Sequence, residues 1–407
     1  MYSKNLKNFI SNELENLKGN GKFKVEREIA GRQGPKVTID GKEYLMFASN
    51  NYLGLANHPE VLKAAESYLK DYGFGLSSVR FLSGTQTIHR KLETMLAEFL
   101  GVEDAILYST NFMANLGFFA TITNESFGAE SWKDVIYSDE LNHASIIDAF
   151  KLCKKDNTDK RIFPHKDLTA LRTMLSEDRV NPPAGGGYRN KIIVTDGVFS
   201  MEGDTADLVE LVKIAEEYEA LLFVDDAHGV GVLGKTGAGT PEFCGVHGKA
   251  DILSGTFGKA LGGAVGGYIA GPRDIVELLR QKSRTYLFSN SVPPSVVGAS
   301  IRALEILKED PTIIEKVKEN ADYFRNELKA RGLNVLEGSH PIVPLMIGDA
   351  VRAKELSGKL YEEGIYAIAL AFPVVPEGAA RIRFQVSASH TKEMLDEAIE
   401  KIEKLCK

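Results

Sequence analysis

The chain has 407 residues, of which 43% are hydrophobic and 26% charged, a composition typical of a globular protein with more than one core. Its net charge of -7 and pI near 5.8 argue against binding to the phosphate backbone of nucleic acids. The three cysteines show neither zinc-binding spacing nor the even count of a disulfide framework. The N-terminal residues lack the apolar core of a signal peptide, and no run approaches about 18 apolar residues. We therefore expect a cytoplasmic protein that binds neither nucleic acid nor membranes, with no metal site.

The period of the apolar residues predicts the elements in chain order. Residues 1–23 follow a polar helical pattern, and a helix is predicted over 59–72, with proline in its first turn. A second helix over 89–100 ends at Gly101. Apolar strands then alternate with helices, as in an α/β protein whose sheet is covered on both faces. The strands are predicted at 104–109, 134–139, 190–199, 220–228, 251–256 and 266–271, with a helix at 206–220.

The pattern changes after residue 293, where two long amphipathic helices are predicted over 295–310 and 312–332. Short strands around 341–347 and 380–387 and a closing helix follow. We therefore predict two folded units. The boundaries are predicted as an N-terminal segment 1–57 that packs with the smaller unit, a large domain 58–292 and a small α+β domain 293–407.

Three stretches resemble nucleotide sites, but their contexts exclude that function. Residues 255–259 are too short for a P-loop, and Ala260 follows the lysine where a hydroxyl is required. GVGVLG at 229–234 follows a strand, but the glycines and proline at 237–241 exclude the helix that would hold a pyrophosphate. DDAH at 225–228 resembles the acidic box of a nucleic-acid ATPase, which an acidic chain without a P-loop does not favour.

Lys259 stands in SGTFGKALGG, residues 254–263, where small neighbours leave room for a planar group beside its amine. Lysine forms imines with aldehydes, and pyridoxal phosphate is the common cofactor held in this way. The pyridine nitrogen of this cofactor needs an acid, and Asp225 at the carboxyl end of an apolar strand is the candidate. A carboxylate that caps a loop is the alternative for Asp225. His228 is either a loop histidine or a donor to the phenolic oxygen of the cofactor.

The cofactor phosphate needs backbone amides at the start of a helix. Ser109, Thr110 and Asn111 end a predicted strand, and a helix-compatible run follows. The amides of Asn111 and Phe112 are therefore the candidates, and Thr256 offers a hydroxyl to the same phosphate. Because Ser, Thr and Asn begin most helices, an ordinary helix start is the alternative.

Eight motifs, in this order and spacing, resemble those of the α-oxoamine synthases. They are NNYLGL (50–55), GFGLSSVRFLSGTQ (73–86), LNHASIID (141–148), TDGVFSMEGD (195–204), VDDAHGVGVLG (224–234), SGTFGKALGGAVGGYIAG (254–271), KSRTYLFSNS (282–291) and AFPVVPEGAARIRFQVSASHT (371–391). The resemblance implies a fold-type I pyridoxal phosphate enzyme, with a mostly parallel seven-stranded sheet covered by helices and a smaller C-terminal α+β domain. It also implies a transferase that joins an amino acid to an acyl-CoA and works as a homodimer with shared active sites.

The same resemblance implies a role for each cofactor-binding residue. Lys259 would be the Schiff-base lysine and would move the proton at the substrate α-carbon. Asp225 would pair with the pyridinium and His228 with the phenolic oxygen. His143 would stack on the ring, with a polar loop residue as the alternative, and Ser200 would lie near the cofactor oxygen.

Further residues are implied for the substrate and for a partner subunit. Arg383, the second arginine of ARIR, would bind the amino-acid carboxylate through its planar fork, assisted by Asn50. Ser289 and Asn290 resemble positions that reach the phosphate of a partner subunit.

The choice of substrate depends on where the chain departs from the family pattern. GFGLSSVRF, TFGKALGGAVGGY and FPVVPEGAARIR favour condensation of glycine with acetyl-CoA, which runs in reverse in threonine breakdown. Asn111 resembles the members that use serine and palmitoyl-CoA, and Ala227 resembles those that use alanine and pimeloyl-CoA. The loops 124–134 and 180–188 also depart from the pattern. An α/β binding protein that has lost catalysis is the alternative of another class.

Overall fold

The structure is a computed structural model that describes residues 2–20, 23–183 and 187–407. The unusual loop at 180–188 is described only in part, because residues 184–186 lie outside the described residues. Among the described helices, none combines the length and the apolar character needed to cross a bilayer.

The N-terminal segment is a helix followed by three short strands. The helix α1 (Lys4–Gly19) has no buried side chain, and the strands are β1 (Ile29–Ala30), β2 (Lys36–Ile39) and β3 (Lys42–Met46). After a 3₁₀ turn at Leu55–Asn57 come α2 (Pro59–Tyr72), which has its predicted bounds, and α3 (Thr87–Leu100). Gly101 ends α3 with a φ of 68°, a left-handed conformation that glycine adopts at little steric cost.

A seven-stranded sheet lies at the centre of the large unit. Its strands are β4 (Asp104–Tyr108), β5 (Asp134–Asp139), β6 (Thr158–Phe163), β7 (Lys191–Asp196), β8 (Leu221–Asp225), β9 (Ile252–Thr256) and β10 (Gly267–Gly271). The order is β4-β10-β9-β8-β7-β5-β6, in which β10 runs antiparallel to both neighbours while the other pairs are parallel. The sheet is therefore mostly parallel, as predicted.

Helices flank this sheet, and its central strands are buried on both faces. The helices are α4 (Asn111–Asn124), α5 (Ala144–Leu152), α6 (Leu168–Val180), α7 (Leu208–Tyr218), α8 (Thr240–Phe243), α9 (Arg273–Lys282) and α10 (Arg284–Leu287). Successive residues of β8 show the arrangement: Leu222 and Val224 join the core on one face, and Phe223 joins the core on the other. This double burial is the reason that the central strands are apolar throughout.

The C-terminal part of the chain contains a second core, which lies in a smaller unit. The elements that follow residue 293 are α11 (Pro294–Glu309), α12 (Thr312–Ala330), β11 (Ile342–Gly348), α13 (Ala350–Glu362), β12 (Ile365–Tyr366), β13 (Ile368–Leu370), β14 (Ala380–Gln385) and α14 (Lys392–Cys406). The strands β11, β14 and β13 form one antiparallel sheet, and β12 pairs with β3 of the N-terminal segment. The aromatic rings of Phe47, Phe324 and Phe384 pack together in the core of this unit.

The domain boundaries that we predict remain a proposal. The pairing of β3 with β12 and the position of Phe47 favour an N-terminal segment that packs with the small unit. In contrast, Val297 and Ile301 of α11 belong to the core of the large unit, and Arg302 forms an ion pair with Glu60 of α2. We therefore propose that the core of the large unit extends through α11, beyond residue 292.

Within the seven-stranded sheet, two strands end three residues earlier than predicted, and one strand was not predicted. The strand predicted over 190–199 ends at Asp196, and the amide of Gly197 makes the last ladder hydrogen bond, to the carbonyl of Asp225. The strand predicted over 220–228 likewise ends at Asp225. The unpredicted strand β6 has the sequence TDKRIF and lies at the edge of the sheet, where it is only half-buried and needs few apolar residues.

Gly267 allows β10 and the start of α4 to approach closely. A Cβ at this position would lie 2.2 Å from the backbone nitrogen of Asn111, so Gly267→Ala should lower the free energy of unfolding by at least about 1–3 kcal/mol. Gly358 in α13 is the matched control, because a Cβ there meets no atom within 4 Å. Gly358→Ala should raise the free energy of unfolding by about 0.5–1 kcal/mol. Thermal unfolding midpoints that move in the same direction in both variants would contradict this assignment.

Candidate active site

A cavity of about 200 Å³ lies at the carboxyl ends of the parallel strands. The register of the sheet places Asp196 at the end of β7 directly beside Asp225 at the end of β8. The residues that line the cavity are Asn111, Phe112, His143, Ser145, Asp196, Val198, Asp225, Ala227, His228, Thr256 and Lys259. The structure thus brings together seven of the predicted site residues, and it adds Ser145, Asp196, Val198 and Ala227 to them.

Asp225 is buried and held by three amide donors. Its carboxylate accepts from Nδ2 of Asn115 at 2.6 Å, from Nδ2 of Asn111 at 3.1 and 3.2 Å, and from the backbone amide of Ala227 at 3.0 Å. These donors fix the orientation of the carboxylate at the end of β8. Asn115 was not predicted, although it lies one helical turn after Asn111 on α4 and faces the same strand end.

The predicted phosphate anchor is the first turn of α4. The side chain of Thr110 caps this helix by accepting from the amide of Met113, and Asn111 and Phe112 occupy the first two helical positions. The hydroxyl of Thr256 donates to the carbonyl of Gly266 at 2.9 Å and accepts from the amide of Gly258. The backbone amides of a helix start therefore lie beside the cavity, where an anion is stabilised.

Lys259 is buried among charged groups that shift its pKa. Burial lowers the pKa of Lys259 to about 8, with the positive charge of Arg383 acting in the same direction, whereas the carboxylates of Asp225 and Asp196 oppose the shift. The glycines around it keep the turn compact: a Cβ on Gly263, whose φ is 71°, would lie 2.9 Å from the Cβ of Ala56. At pH 7 about a tenth of the Lys259 side chains is consequently a neutral amine, a far larger fraction than for an ordinary lysine of pKa about 10.4.

His143 caps helix α5 and shares a hydrogen-bond network with Asp225. Its Nδ1 accepts from the amide of Ser145 at 3.2 Å and lies 2.8 Å from the Ser145 hydroxyl, so the proton of the neutral ring is on Nε2. Burial lowers the pKa of His143, which favours this neutral ring. Asn115 donates to both Ser145 and Asp225, and so connects the histidine with the carboxylate.

Asp196 is a site residue that was not predicted. Its carboxylate accepts from the backbone amide of His143 at 3.2 Å. Burial raises the pKa of Asp196 well above its usual range, and the negative charge of Asp225 adds to this effect. The sequence carried the same signal for Asp196 as for Asp225, namely an aspartate at the end of an apolar strand.

His228 lines the cavity, and Arg383 of β14 lies close enough to His228 to affect its pKa. Burial lowers the pKa of His228 well below its usual range, and Lys259 and Arg383 add to this effect. Nη1 of Arg383 donates to the carbonyl of Ser200 at 2.9 Å, while its buried Nε has no partner among the described residues. Arg383, Ser200 and Asn50 lie outside the lining of the cavity. The carboxamide oxygen of Asn50 accepts from Nε2 of Gln385 and lies 3.2 Å from the hydroxyl of Tyr52.

Ser289 and Asn290 do not line the cavity of their own chain. The hydroxyl of Ser109 donates to the carbonyl of Asn290 at 2.6 Å and lies 3.3 Å from the hydroxyl of Ser289. Their predicted contact with a partner's phosphate stays a prediction.

The residues present fit pyridoxal phosphate. Asp225 offers a fixed carboxylate to the pyridinium nitrogen, and Lys259 offers an amine of lowered pKa to the aldehyde. The start of α4 offers backbone amides to the phosphate. The carboxamide oxygens of Asn111 and Asn115 are buried without a hydrogen-bond partner in the part of the chain that the structure describes, so this wall retains unused polar groups.

Comparison with solved structures identifies the class of fold. The chain superposes on serine palmitoyltransferase from S. paucimobilis with a TM-score of 0.86 and 29% sequence identity, covering 97% of this chain and 96% of that one. The predicted fold class, a fold-type I pyridoxal-phosphate-dependent transferase, is thereby confirmed.

Comparison of sequences identifies the family. The family model for class I and II aminotransferases matches residues 42–402, and the chain belongs to this family, within its α-oxoamine synthase branch. It is 47% identical over 393 residues to the 2-amino-3-ketobutyrate coenzyme A ligase of Salmonella typhimurium, covering 96% of this chain and 95% of that protein. It is also 44% identical over 399 residues to the 8-amino-7-oxononanoate synthase of Thermoanaerobacter pseudethanolicus, covering 98% and 97%. The predicted resemblance is confirmed.

Asn115 should contribute to cofactor binding through Asp225. Asn115→Ala removes the 2.6 Å hydrogen bond to a buried carboxylate, so the dissociation constant for pyridoxal phosphate should rise about tenfold or more. Thr123→Ala is the control, since Thr123 is equally buried on α4 but donates to the carbonyl of Phe119. The measurement is a fluorescence titration of cofactor-free protein, and an equal loss of affinity in both variants would contradict the assignment.

The lowered pKa of Lys259 predicts how incorporation of the cofactor depends on pH. The rate at which cofactor-free protein takes up pyridoxal phosphate should rise as the amine loses its proton and should level off above about pH 8. An ordinary lysine would give a rate that still rises between pH 9 and about 10.4. Stopped-flow absorbance over this range distinguishes the two, and a continued rise would show that Lys259 is not perturbed.

Proposed function

We propose that the chain is a pyridoxal-phosphate-dependent acyltransferase that condenses glycine with acetyl-CoA to give 2-amino-3-ketobutyrate and CoA. The observation that carries the proposal is the convergence of Lys259, Asp225, His143 and His228 on one cavity. The identity of 47% to a relative named 2-amino-3-ketobutyrate coenzyme A ligase supports this choice of substrates. The same chemistry in reverse would cleave the product with CoA.

Lys259, Asp225 and the start of α4 would hold the cofactor. When bound, pyridoxal phosphate supplies an electron sink that stabilises negative charge at the α-carbon of an attached amino acid. The carboxylate of Asp225 would keep a proton on the pyridine nitrogen, because its three amide donors hold it in place as an anion. The ring of His143, with Nδ1 occupied by Ser145, would lie against the cofactor face and present Nε2–H to the substrate.

Arg383 and Asn50 would bind the glycine carboxylate. Among the residues that the structure describes, none pairs with the buried Nε of Arg383, so this donor is available to an anion, and the planar guanidinium suits two-pronged binding. The Nζ of Lys259 would then remove a proton from the glycine α-carbon, because burial lowers its pKa to about 8. The α-carbon forms a bond with the acetyl carbonyl carbon, the thioester C–S bond breaks, and CoA leaves as the thiol.

We further propose that the active form is a homodimer with shared sites that works in the cytoplasm. Several large apolar side chains near residues 74–82 and 288 are exposed in the single chain: Phe74 at 87%, Leu82 at 71% and Phe288 at 67%. An isolated bridge between Val79 and Asn290 joins these two loops into one surface. Exposed apolar patches of this kind are typical of subunit interfaces. A second copy on this surface would also bring Ser289 and Asn290 near a partner's site.

A second substrate pair is favoured by specific observations. Ala227 lines the cavity, and the chain is 44% identical to a relative named 8-amino-7-oxononanoate synthase. Condensation of alanine with pimeloyl-CoA is therefore the alternative within the same reaction class.

The function is tested by CoA release over a matrix of glycine, alanine and serine against acetyl-, pimeloyl- and palmitoyl-CoA. Glycine with acetyl-CoA should give the highest rate, and a higher rate for alanine with pimeloyl-CoA would establish the alternative. Lys259→Ala should lower turnover by at least about 10³-fold, because it removes the proposed base. Lys191→Ala is the control, since this lysine lies at the amino end of β7, opposite the carboxyl ends of the strands that line the cavity, and donates to the carbonyl of Tyr218. Absence of turnover and of cofactor absorbance in the unmodified protein would identify a binding protein instead.

A further inference from the structure

Tyr52 is a wholly buried residue of NNYLGL that has no role in the site as described so far. Its hydroxyl lies 2.9 Å from Nδ1 of His228 and 3.2 Å from the carboxamide oxygen of Asn50. Burial raises the pKa of Tyr52 to about 12, so the hydroxyl keeps its proton at neutral pH. The residue therefore stands between a predicted cofactor-binding histidine and a predicted carboxylate-binding asparagine.

His228 is held so that one ring nitrogen faces Tyr52. His340 accepts from the amide of Ile342 through Nδ1, so its Nε2–H donates to the carbonyl of His228 at 2.9 Å and holds that backbone. The His228 ring is neutral because burial lowers its pKa, and a neutral imidazole carries one proton on one of two nitrogens. Because Nδ1 contacts Tyr52, Nε2 is the nitrogen that remains for the cavity.

The hydroxyl of Tyr52 has one proton and two possible acceptors. The oxygen of Asn50 already accepts from Nε2 of Gln385, and it lies farther from the hydroxyl than Nδ1 of His228 does. If the hydroxyl donated its proton to Asn50, His228 would have to carry its own proton on Nδ1 to form a hydrogen bond with Tyr52. An unprotonated Nε2 would then face the cavity. Donation to His228 instead makes Nε2–H a donor toward a bound cofactor.

We propose that Tyr52 is a positioning residue, whose hydroxyl donates to Nδ1 of His228 and thereby fixes the tautomer that presents Nε2–H to the cavity. The consequence for catalysis rests on the proposed function. The tautomer of His228 does not, because it can be measured whatever reaction the protein catalyses. Tyr52 therefore acts through His228, with which its hydroxyl shares a hydrogen bond.

The tautomer can be measured directly in the unmodified full-length protein. Two-bond ¹⁵N–¹H spectra of protein labelled at its eight histidines distinguish Nε2–H from Nδ1–H rings, and the His228→Gln variant assigns the signal. We expect His228 to be an Nε2–H tautomer before and after loading with pyridoxal phosphate. An Nδ1–H tautomer in the unmodified protein would overturn the proposal, whatever substrates the enzyme proves to use.

The Tyr52→Phe variant tests whether the tautomer of His228 depends on the hydroxyl of Tyr52. It should give a mixture of His228 tautomers and a dissociation constant for pyridoxal phosphate that is about 3- to 10-fold higher, the size of one net hydrogen bond. Tyr137→Phe is the matched control, since this equally buried tyrosine donates its hydroxyl to Asp178 of α6. An unchanged His228 tautomer together with an unchanged dissociation constant in Tyr52→Phe would overturn the proposal.

A double-mutant cycle separates positioning from a general loss of structure. In the His228→Gln background, the further change Tyr52→Phe should leave the dissociation constant for pyridoxal phosphate almost unaltered, because the partner of the hydroxyl is already absent. Effects that simply multiply would show that Tyr52 does not act through His228. The cycle measures cofactor binding alone, so a wrong choice of amino acid or acyl-CoA would leave its result unaffected.

Discussion

The buried carboxylate of Asp225 is the group on which the remainder of the site depends. It lies beside Asp196 on the neighbouring strand, and two carboxylates at such a position repel each other unless donors compensate one of them. Amides from α4 and from Ala227 compensate Asp225, while the charge of Asp225 contributes to the raised pKa of Asp196. The first turn of α4 must therefore lie close to the end of β8. Gly267 of β10 allows this position, because a side chain there would collide with the backbone nitrogen of Asn111.

Exclusion of water is the common cause of the electrostatic pattern in the cavity. Burial lowers the pKa of Lys259, His143 and His228, and it raises the pKa of Asp196. Each shift favours the neutral form of its group, as desolvation requires. A site of this kind holds an amine that can take a proton from carbon and imidazoles that donate hydrogen bonds without carrying charge. The negative charge is concentrated on Asp225, where it is hydrogen-bonded.

Much of the fold and part of the candidate site could be predicted from the sequence. The central strands were evident because burial on both faces leaves them apolar, whereas the half-buried edge strand β6 carried no such signal. Asp225 and Lys259 could be found from their local context. Asn115 and Tyr52 were missed, because nothing local shows that they reach Asp225 and His228, which lie 110 and 176 residues away along the chain; for Asn115 the helical spacing from Asn111 was the one available signal.

The sequence by itself determined which chemical groups are available, where several helices and most of the central strands lie, and which family motifs are present. These depend on side-chain chemistry and on local periodicity, which are properties of short segments. The tertiary structure alone decided which groups meet at the strand ends, how far water is excluded from them, and which nitrogen of His143 accepts a hydrogen bond. Protonation and tautomer follow from burial and from hydrogen bonds between distant segments, and neither exists until the chain has folded.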